Sequence, residues 1–341
     1  MNIDMNNIYL FVFGLILLIK GGDWFVDSAT NIARRFKLPE LLIGATVVSI
    51  GTTLPEVMVS ATAAFDGSSG MAYGNAIGSI ICNTSLIAAT TIAIKPGSVN
   101  RKTLILPVSF FFAAAAFYSL TAYIGGHFSR VTGVILLGGF VAYMTLTVMQ
   151  MFRDKKNAED EALKIEDGAL EADAEEEKKE SILKSILFLV IGAAVIAVGA
   201  DLLVDNGTII AEALGVPETV ISLTFVALGT SLPELVTAIT ALMKGHGALS
   251  LGNIIGANLF NLVLVSGVAT TILPFDVPAE STVGNIPTSF VIDIPVMLAV
   301  MAIMTVPALI KGKLSRVQGI ALLAIYASFC ALQFALPFIT A

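Results

Sequence analysis

The sequence predicts an all-α polytopic membrane protein of ten transmembrane helices, arranged as two inverted repeats of five helices. Three observations lead to this fold class. The chain of 341 residues is 56% hydrophobic and only 13% charged, with a mean hydropathy of +0.88, which is too apolar for an ordinary soluble domain. Ten apolar stretches are long enough to cross a bilayer, and the two halves of the chain repeat each other.

Each predicted span has about 20 residues or more, the length needed to cross the hydrocarbon core of a bilayer. All of them should be helical, because backbone groups that face lipid must be hydrogen-bonded within their own segment. The predicted spans are 8–27, 39–65, 71–94, 103–124, 131–152, 182–204, 217–243, 248–273, 287–309 and 315–338.

Lys and Arg are distributed very unevenly over the predicted connections. With the N-terminus outside, 17 of the 19 basic residues lie in cytoplasmic loops, Lys20 lies within the first span, and only Arg130 lies outside. This asymmetry predicts that both termini are outside and that the protein is a multi-pass protein of the plasma or inner membrane. The N-terminus has no basic region or cleavage site, so we expect the first span to be retained.

The only long polar connection divides the chain into a first repeat at 1–152, an acidic cytoplasmic loop at 153–181 and a second repeat at 182–341. The loop is typical of a solvated, partly helical spacer. Its acids lack the spacing and the turn glycine of an EF-hand, which argues against a Ca²⁺-sensing role, and a phosphate-binding or partner-binding role is the remaining alternative. Nothing in the sequence indicates a nucleic acid or protein partner; the expected surroundings are membrane lipid.

The two halves match at a constant shift of 178 residues without a gap. Residues 36–94 and 214–272 share 20 of 59 positions, and the identities fall mainly on Gly, Pro, Glu, Asn and Thr. Because each half has an odd number of spans, the second half enters the membrane in the opposite orientation. Inverted repeats of this kind are typical of secondary transporters, whose substrate site lies near the midplane and is formed by discontinuous helices.

The clearest repeated motif is Gly51-Thr-Thr-Leu-Pro-Glu56, which recurs as Gly229-Thr-Ser-Leu-Pro-Glu234. Pro55 and Pro233 lack an amide hydrogen, so we expect them to break their helices and to free the carbonyls of the two glycines. An intramembrane glutamate costs roughly 2.5 kcal/mol or more on insertion and indicates a functional site. Carboxylates, hydroxyls and free carbonyls together form a ligand set for hard cations. A purely structural kink is the alternative interpretation.

The helix that follows each motif carries a polar stripe. Asn75, Ser79 and Asn83 are spaced by four and share one helix face, and Asn253, Ala257 and Asn261 occupy the equivalent face of the other repeat. The glycines at 74, 78, 252 and 256 should allow close approach to the broken helices. Two ionised glutamates with neutral asparagines give a site of charge −2, which one Ca²⁺, two Na⁺ or two protons would neutralise.

Lys20 and Asp23 are three residues apart on the first helix, so we expect them to pair with each other. Asp201, which matches Asp23 in the second repeat, has no equivalent lysine and is left without an obvious partner.

With these residues in view, the sequence resembles the prokaryotic sodium/calcium exchangers of the calcium/cation antiporter superfamily. The resemblance rests on the two hexapeptides, on the stretches 74–79 and 252–257 with Asn83 and Asn261, and on residues 22–26. These are similar to the family's two α-repeats, at about 38–94 and 216–272, and the similarity covers essentially the whole membrane part.

The resemblance implies the roles of individual residues. Glu56 and Glu234 would bind Ca²⁺ together with the carbonyls of Thr52 and Thr230, and Asn83 and Asn261 would line the middle of the site. Flanking Na⁺ sites would use Thr52, Ser79 and the carbonyl of Ser49 on one side, and Thr230 with the carbonyl of Ala227 on the other. Thr53 and Ser231 would contribute hydroxyls between them.

Two positions depart from the family's archaeal pattern. Position 257 is Ala in place of Ser, which removes one expected Na⁺ ligand, and position 261 is Asn in place of Asp, which suggests no K⁺ requirement. The resemblance implies a Na⁺/Ca²⁺ antiporter that extrudes Ca²⁺ by alternating access, with no cofactor and no enzymatic activity. A Ca²⁺/H⁺ antiporter is the nearest alternative, and a cation channel is a more remote one.

Overall fold

The computed structural model describes residues 5–166, 181–213, 229–279, 282–283 and 286–339. Within these residues, nine helices are long and apolar enough to cross a membrane. The predicted span 217–243 contains one further apolar helix, of 12 residues, and its first part lies outside the described residues. The all-helical membrane architecture is therefore confirmed, whereas the count of ten and the orientation of the termini stay predictions.

We number the helices α1 to α10 in chain order. They are α1 Met5–Arg35, α2 Glu40–Phe65, α3 Ser69–Ile94, α4 Arg101–Gly125, α5 Arg130–Glu166, α6 Ile182–Ala213, α7 Leu232–Met243, α8 Gly247–Ile272, α9 Ser289–Lys311 and α10 Arg316–Ile339. Helix α1 is longer than the predicted span 8–27. Helix α5 continues past the predicted boundary at 152, so the acidic segment begins as helix; its residues 167–180 lie outside the described residues.

Two short strand pairs add to the predicted helices. Strand β1 (His127–Phe128) pairs antiparallel with β2 (Phe275–Asp276), with His127 opposite Asp276. Strand β3 (Thr282–Val283) pairs antiparallel with β4 (Ile286–Pro287). Each strand has only two residues, so the pairs connect loops without changing the fold class.

Helices α1 and α6, which are equivalent in the two repeats, form the most extensive helix pair. Glycines permit the contact: a Cβ atom on Gly14 would lie 2.8 Å from the carbonyl oxygen of Gly199, and one on Gly199 would lie 2.9 Å from that of Gly14. Because a side chain at either position would collide with backbone, the two helices pack at the distance that small residues allow in membranes.

Helix α8 lies at the centre of the protein and packs against α2, α3, α4 and α7. In the most apolar 18-residue segment of α8, 89% of the residues are buried inside the protein, compared with 28% in that of α1. The predicted close approach of glycines holds for Gly252 and Gly256, whose added Cβ atoms would meet the backbone of Leu41 and of Ala45 in α2. Added Cβ atoms on Gly74 and Gly78 would have no described atom within 4 Å.

The connections at 36–39, 95–100, 244–246 and 312–315 lie at one end of the bundle, and we call this end the basic face. Here Ser98 forms a β-bridge with Lys313, and the amide of Val99 donates to the carbonyl of Gly312 at 2.9 Å. His246 Nδ1 lies 2.9 Å from Glu40 Oε1. At the opposite face, His127 Nδ1 lies 2.6 Å from Asp276 Oδ1. Both histidines thus have carboxylate partners.

Candidate ion-binding site

In the first repeat, the hexapeptide lies within a continuous helix. Residues Gly44–Val48 form a π-helical segment, and the α-helix Ser49–Phe65 follows and runs through Pro55. The predicted helix break at Pro55 is therefore wrong. Proline removes only one backbone hydrogen bond, and local π adjustments and neighbouring helices allow a membrane helix to continue past it. The carbonyl of Gly51 still lacks the partner that residue 55 would normally supply.

In the second repeat, the hexapeptide lies at the start of a helix. Helix α7 begins at Leu232 after a turn at Thr230 and Ser231, and it has Pro233 and Glu234 in its first turn. Proline suits this position because its missing amide would have no helical partner there, and a carboxylate is favoured by the unpaired amides of a helix N-terminus. The predicted discontinuity thus holds at Pro233. Ala227, whose carbonyl is an expected Na⁺ ligand, lies outside the described residues.

The two glutamates are fully buried, and their carboxylates have no hydrogen-bond partner in the described part of the chain. Glu56 and Glu234 are both 0% exposed, and all four of their carboxylate oxygens lack partners among the described residues. The α2 segment that carries Glu56 contacts α7, which carries Glu234, so the two carboxylates lie on adjacent helices. A buried carboxylate without a hydrogen bond or counter-charge is strongly unfavourable. The site is therefore chemically incomplete without a cation or protons.

Two asparagines lie where the following helices change their winding. A π-helical segment begins at Asn83 in α3 (Asn83–Ala88), and another begins at Asn261 in α8 (Asn261–Val265). Both asparagines are 0% exposed, and their side-chain oxygens and nitrogens have no hydrogen-bond partner among the residues that the structure describes. Single-turn π segments occur frequently at functional sites. The sequence predicted the asparagines but gave no indication of the π segments.

Hydrogen bonds join the two repeats in a symmetric pattern. Thr52 Oγ1 donates to Asn253 Oδ1 at 3.2 Å, and Thr230 Oγ1 donates to Asn75 Oδ1 at 3.4 Å. The two bonds are related by the shift of 178 residues, because Thr52 matches Thr230 and Asn75 matches Asn253. Each hexapeptide is thus connected to the polar stripe of the other repeat. Asn75 and Asn253 were predicted to lie on the stripes, but their bridging role was not.

Asn75 also holds its own hexapeptide helix. Its Nδ2 donates to the carbonyl of Glu56 at 3.1 Å and to Ser60 Oγ at 2.8 Å. The equivalent Asn253 Nδ2 has no partner. Ala238 replaces the hydroxyl of Ser60 in the second repeat, which accounts for one of the two missing bonds.

The remaining predicted residues are buried close to these helices. Ser49 Oγ donates to the carbonyl of Gly44 at 2.7 Å and lies 3.0 Å from the carbonyl of Asn253, while the Ser49 carbonyl is 3.5 Å from Thr52 Oγ1. The hydroxyls of Thr53 and Ser231 have no partner within the described ranges, and these residues are 0% and 1% exposed. Ser79 is 5% exposed, and Ala257 is fully buried. The structure thus places buried oxygen atoms of both repeats on helices that are joined by hydrogen bonds.

A bundle of apolar helices with a duplicated, buried and charged oxygen site defines the chain as a polytopic membrane protein of the transporter class. Comparison with known proteins identifies the family within this class. The profile of the family described as sodium/calcium exchanger protein matches residues 6–149 and 184–335. The chain belongs to this family, whose members are membrane transporters rather than enzymes.

Several relatives are similar over nearly their whole length. The uncharacterized membrane protein MJ0091 of Methanocaldococcus jannaschii is 36% identical over 322 residues, which cover 93% of this chain and 94% of the relative. The sodium/calcium exchanger MaX1 of Methanosarcina acetivorans is 31% identical over 96% of this chain and 98% of the relative. The putative antiporter CaxA of Alkalimonas amylolytica is 36% identical over 90% of this chain and 91% of the relative.

The fold is also similar to a solved structure. The sodium–calcium exchanger NCX_Mj, soaked with Na⁺ and Sr²⁺, superposes with a TM-score of 0.76 at 32% sequence identity, over 96% of this chain and 98% of that chain. The resemblance seen in the sequence is therefore confirmed at the level of the family and of the fold.

Proposed function

We propose that this protein is an antiporter that exchanges Na⁺ for Ca²⁺ by alternating access and extrudes Ca²⁺ from the cell. The observation that carries the proposal is the pair of fully buried glutamates, Glu56 and Glu234, whose carboxylate oxygens have no partner. The helix that carries Glu56 contacts the segment that begins at Asn261, and the helix that carries Glu234 contacts the segment that begins at Asn83. Both asparagine side chains are also fully buried and have no partner among the described residues. A hard cation would satisfy all four groups at once.

Charge balance explains how such a site could couple two ions. The ionised pair carries a charge of −2, which one Ca²⁺ or two Na⁺ neutralise. An empty site would leave two unpaired charges in a low-dielectric interior, which is costly. The protein would therefore change its accessible side only when the site is loaded, and this requirement makes the transport an exchange rather than a leak.

The proposed direction rests on topology. The basic face gathers connections that contain most of the Lys and Arg residues, and such loops are retained in the cytoplasm. We assign the basic face to the cytoplasm and the acidic segment at 153–181 to the same side. Ca²⁺ would then bind from the basic face and leave at the opposite face, driven by the inward Na⁺ gradient.

Transport into proteoliposomes tests the function directly. Vesicles loaded with Na⁺ and diluted into Na⁺-free buffer should accumulate radioactive Ca²⁺, and vesicles without a Na⁺ gradient should not. Glu56→Gln should abolish uptake. Glu40→Gln is a matched control, because Glu40 lies at the basic face beside His246 rather than in the site, and it should retain uptake. Absence of Na⁺-driven uptake by the wild type would refute the proposed coupling.

A Ca²⁺/H⁺ antiporter is the second candidate, and one observation favours it. Helix α8 has Ala257 where α3 has Ser79, so the second repeat lacks a hydroxyl that could bind Na⁺. The two glutamates could instead release and bind protons. A pH gradient that drives Ca²⁺ uptake in Na⁺-free buffer, with no response to an imposed Na⁺ gradient, would establish this alternative.

A further inference from the structure

A lysine at the basic face ties two helices together. Lys244, which follows the last residue of α7, lies 3.1 Å from Asp23 Oδ1 and 2.8 Å from Asp27 Oδ1 of α1. Its Nζ also donates to the backbone carbonyl of Asp23 at 3.3 Å. The expected pairing of Asp23 with Lys20 is therefore wrong, because the folded chain brings a lysine from the other repeat against the same carboxylate. We call Lys244, Asp23 and Asp27 the basic-face clamp.

The clamp lysine is held in its charged form. Partial burial by itself would lower the pKa of Lys244, but the hydrogen bonds and charges of Asp27 and Asp23 outweigh this effect, and the pKa is raised. The clamp thus joins α1 to α7, the helix that carries Glu234. Lys184 of α6 lines a small cavity together with Asp27, so the aspartates of α1 lie near basic side chains from two helices.

The internal repeat places a residue equivalent to Lys244 at the opposite face of the protein. Lys244 matches Asp66, and the two residues end their helices with the same backbone geometry: φ −77° and ψ −1° for Lys244, and φ −78° and ψ 0° for Asp66. Each is followed by a glycine at positive φ, Gly245 at +86° and Gly67 at +78°. The two helix ends are therefore structural equivalents that differ in the sign of one side-chain charge.

The partners of the clamp are conserved between the repeats, but the lysine is not. Asp23 and Asp27 of α1 match Asp201 and Asp205 of α6. Helix α2 contacts α6, as α7 contacts α1. The repeat therefore places three acidic residues, Asp66, Asp201 and Asp205, where the basic face has two aspartates and a lysine. Three acidic side chains cannot form ion pairs with one another, so these residues do not reproduce the ion pairs of the basic face.

We propose that Lys244 is a positioning residue that holds the basic face closed and biases the exchanger towards the state open at the opposite face. This inference rests on the proposed function. Separating α1 from α7 at the basic face requires two ion pairs to break. The three acidic residues at the equivalent positions of the opposite face provide no ion pair between α6 and α2. Since α1 and α6 pack tightly on each other, both contacts act on the same helix pair.

The mirror-image variants Lys244→Met and Asp66→Lys test the proposal. The first removes the clamp and keeps the apolar stem, and the second builds a clamp at the opposite face. Both should shift the equilibrium towards opening at the basic face, by roughly three- to tenfold, the range expected for partly exposed ion pairs. The half-saturating Ca²⁺ concentration should fall at the basic face and rise at the opposite face, in vesicles sorted by orientation.

Several controls separate a charge effect from general damage. Lys244→Arg should behave as the wild type, and the exchange Lys244→Asp with Asp27→Lys should restore much of the bias. The shifts should shrink when choline chloride is raised, because partly exposed ion pairs are screened by salt. Parallel changes at both faces would indicate damage to the site and would overturn the proposal, as would unchanged values at both faces in both variants.

Hydrogen–deuterium exchange gives a readout that does not depend on transport. Lys244→Met should increase amide exchange in the part of α1 near Asp23 and Asp27, and Asp66→Lys should decrease it in the part of α6 near Asp201 and Asp205. If the wild type transports Ca²⁺ but neither variant changes exchange, the clamp is refuted and the function stands. If the wild type fails to transport but both variants change exchange as expected, the function is refuted and the clamp remains as a contact.

Discussion

The two hexapeptides present the same carboxylate from two differently built helices. Glu56 lies in the middle of a continuous helix that passes through Pro55, and Glu234 lies in the first turn of a helix that begins at Leu232. Both carboxylates are nevertheless fully buried and unpaired. The burial of the carboxylate is therefore the same in the two repeats, whereas the backbone conformation around it differs.

The hydroxyl groups around the two carboxylates differ as well. Three serines of the first repeat are alanines in the second: Ser49 matches Ala227, Ser60 matches Ala238, and Ser79 matches Ala257. The first repeat can therefore offer hydroxyl ligands and hydrogen bonds that the second cannot. We infer that the two halves share the charge of a bound cation equally but contribute unequally to binding a second ion and to stability. Four predictions test this asymmetry.

The largest effect is expected from neutralising either carboxylate. Glu56→Gln and Glu234→Gln should each lower Ca²⁺ transport by about 100-fold or more, because one charge interaction at about 4 Å is worth about 4 kcal/mol at an effective dielectric constant near 20. Na⁺-driven Ca²⁺ uptake at saturating Ca²⁺ measures the loss. Similar losses would support equal sharing of the charge. A tenfold difference between the two variants would contradict it.

Stability should distinguish the two bridging asparagines. Asn75→Ala removes two donated hydrogen bonds and one accepted bond, whereas Asn253→Ala removes only one accepted side-chain bond. We expect Asn75→Ala to be the more destabilising by about 1–3 kcal/mol, since it also leaves buried polar groups unpaired. Thermal unfolding of the purified protein in detergent gives the comparison. Equal decreases in melting temperature would show that the asparagines are equivalent despite their different bonds.

The dependence of the exchange rate on Na⁺ should change when Ser79 or Ala257, the matching residues on the two polar stripes, is substituted. Ser79→Ala should raise the half-saturating Na⁺ concentration about fivefold, and Ala257→Ser should lower it by a similar factor, because one hydroxyl ligand is worth about 1 kcal/mol. Initial rates of exchange over a Na⁺ titration provide the measurement. Ser328→Ala is a matched control on α10, where the hydroxyl only contacts its own helix at Ala324. A response to neither variant would favour proton coupling.

The smallest effect is expected from restoring a missing hydrogen bond. Ala238→Ser would place a hydroxyl where the repeat has Ser60, and Asn253 Nδ2 would gain the partner that it now lacks. The variant should be more stable by about 0.5–1.5 kcal/mol, the usual net value of one hydrogen bond. Ala241→Ser, an equally buried change on the same helix without a matching asparagine, should give no gain. Destabilisation by Ala238→Ser would mean that the site has no space for the hydroxyl.

Particular residues show how far the sequence could predict the site. The shift of 178 residues alone identified Glu56 with Glu234 and Asn83 with Asn261, because a polar residue that is duplicated inside an apolar span has few explanations other than function. The π segments at the asparagines were not predictable, since they depend on how neighbouring helices accommodate the backbone. The continuity of the helix through Pro55 was missed for the same reason.

The helical membrane class was predictable from the sequence, as were the internal repeat and the residue types of the candidate site. These properties follow from local quantities: the length of apolar segments, the periodicity of polar residues and the register between two halves. Which side chains contact each other depends instead on how the helices pack. Thr52 donates to Asn253 of the other repeat, and Asp23 pairs with Lys244 rather than with Lys20. The physical reason is that such partners are about 200 residues apart in the chain, so their contact depends on the packing of whole helices.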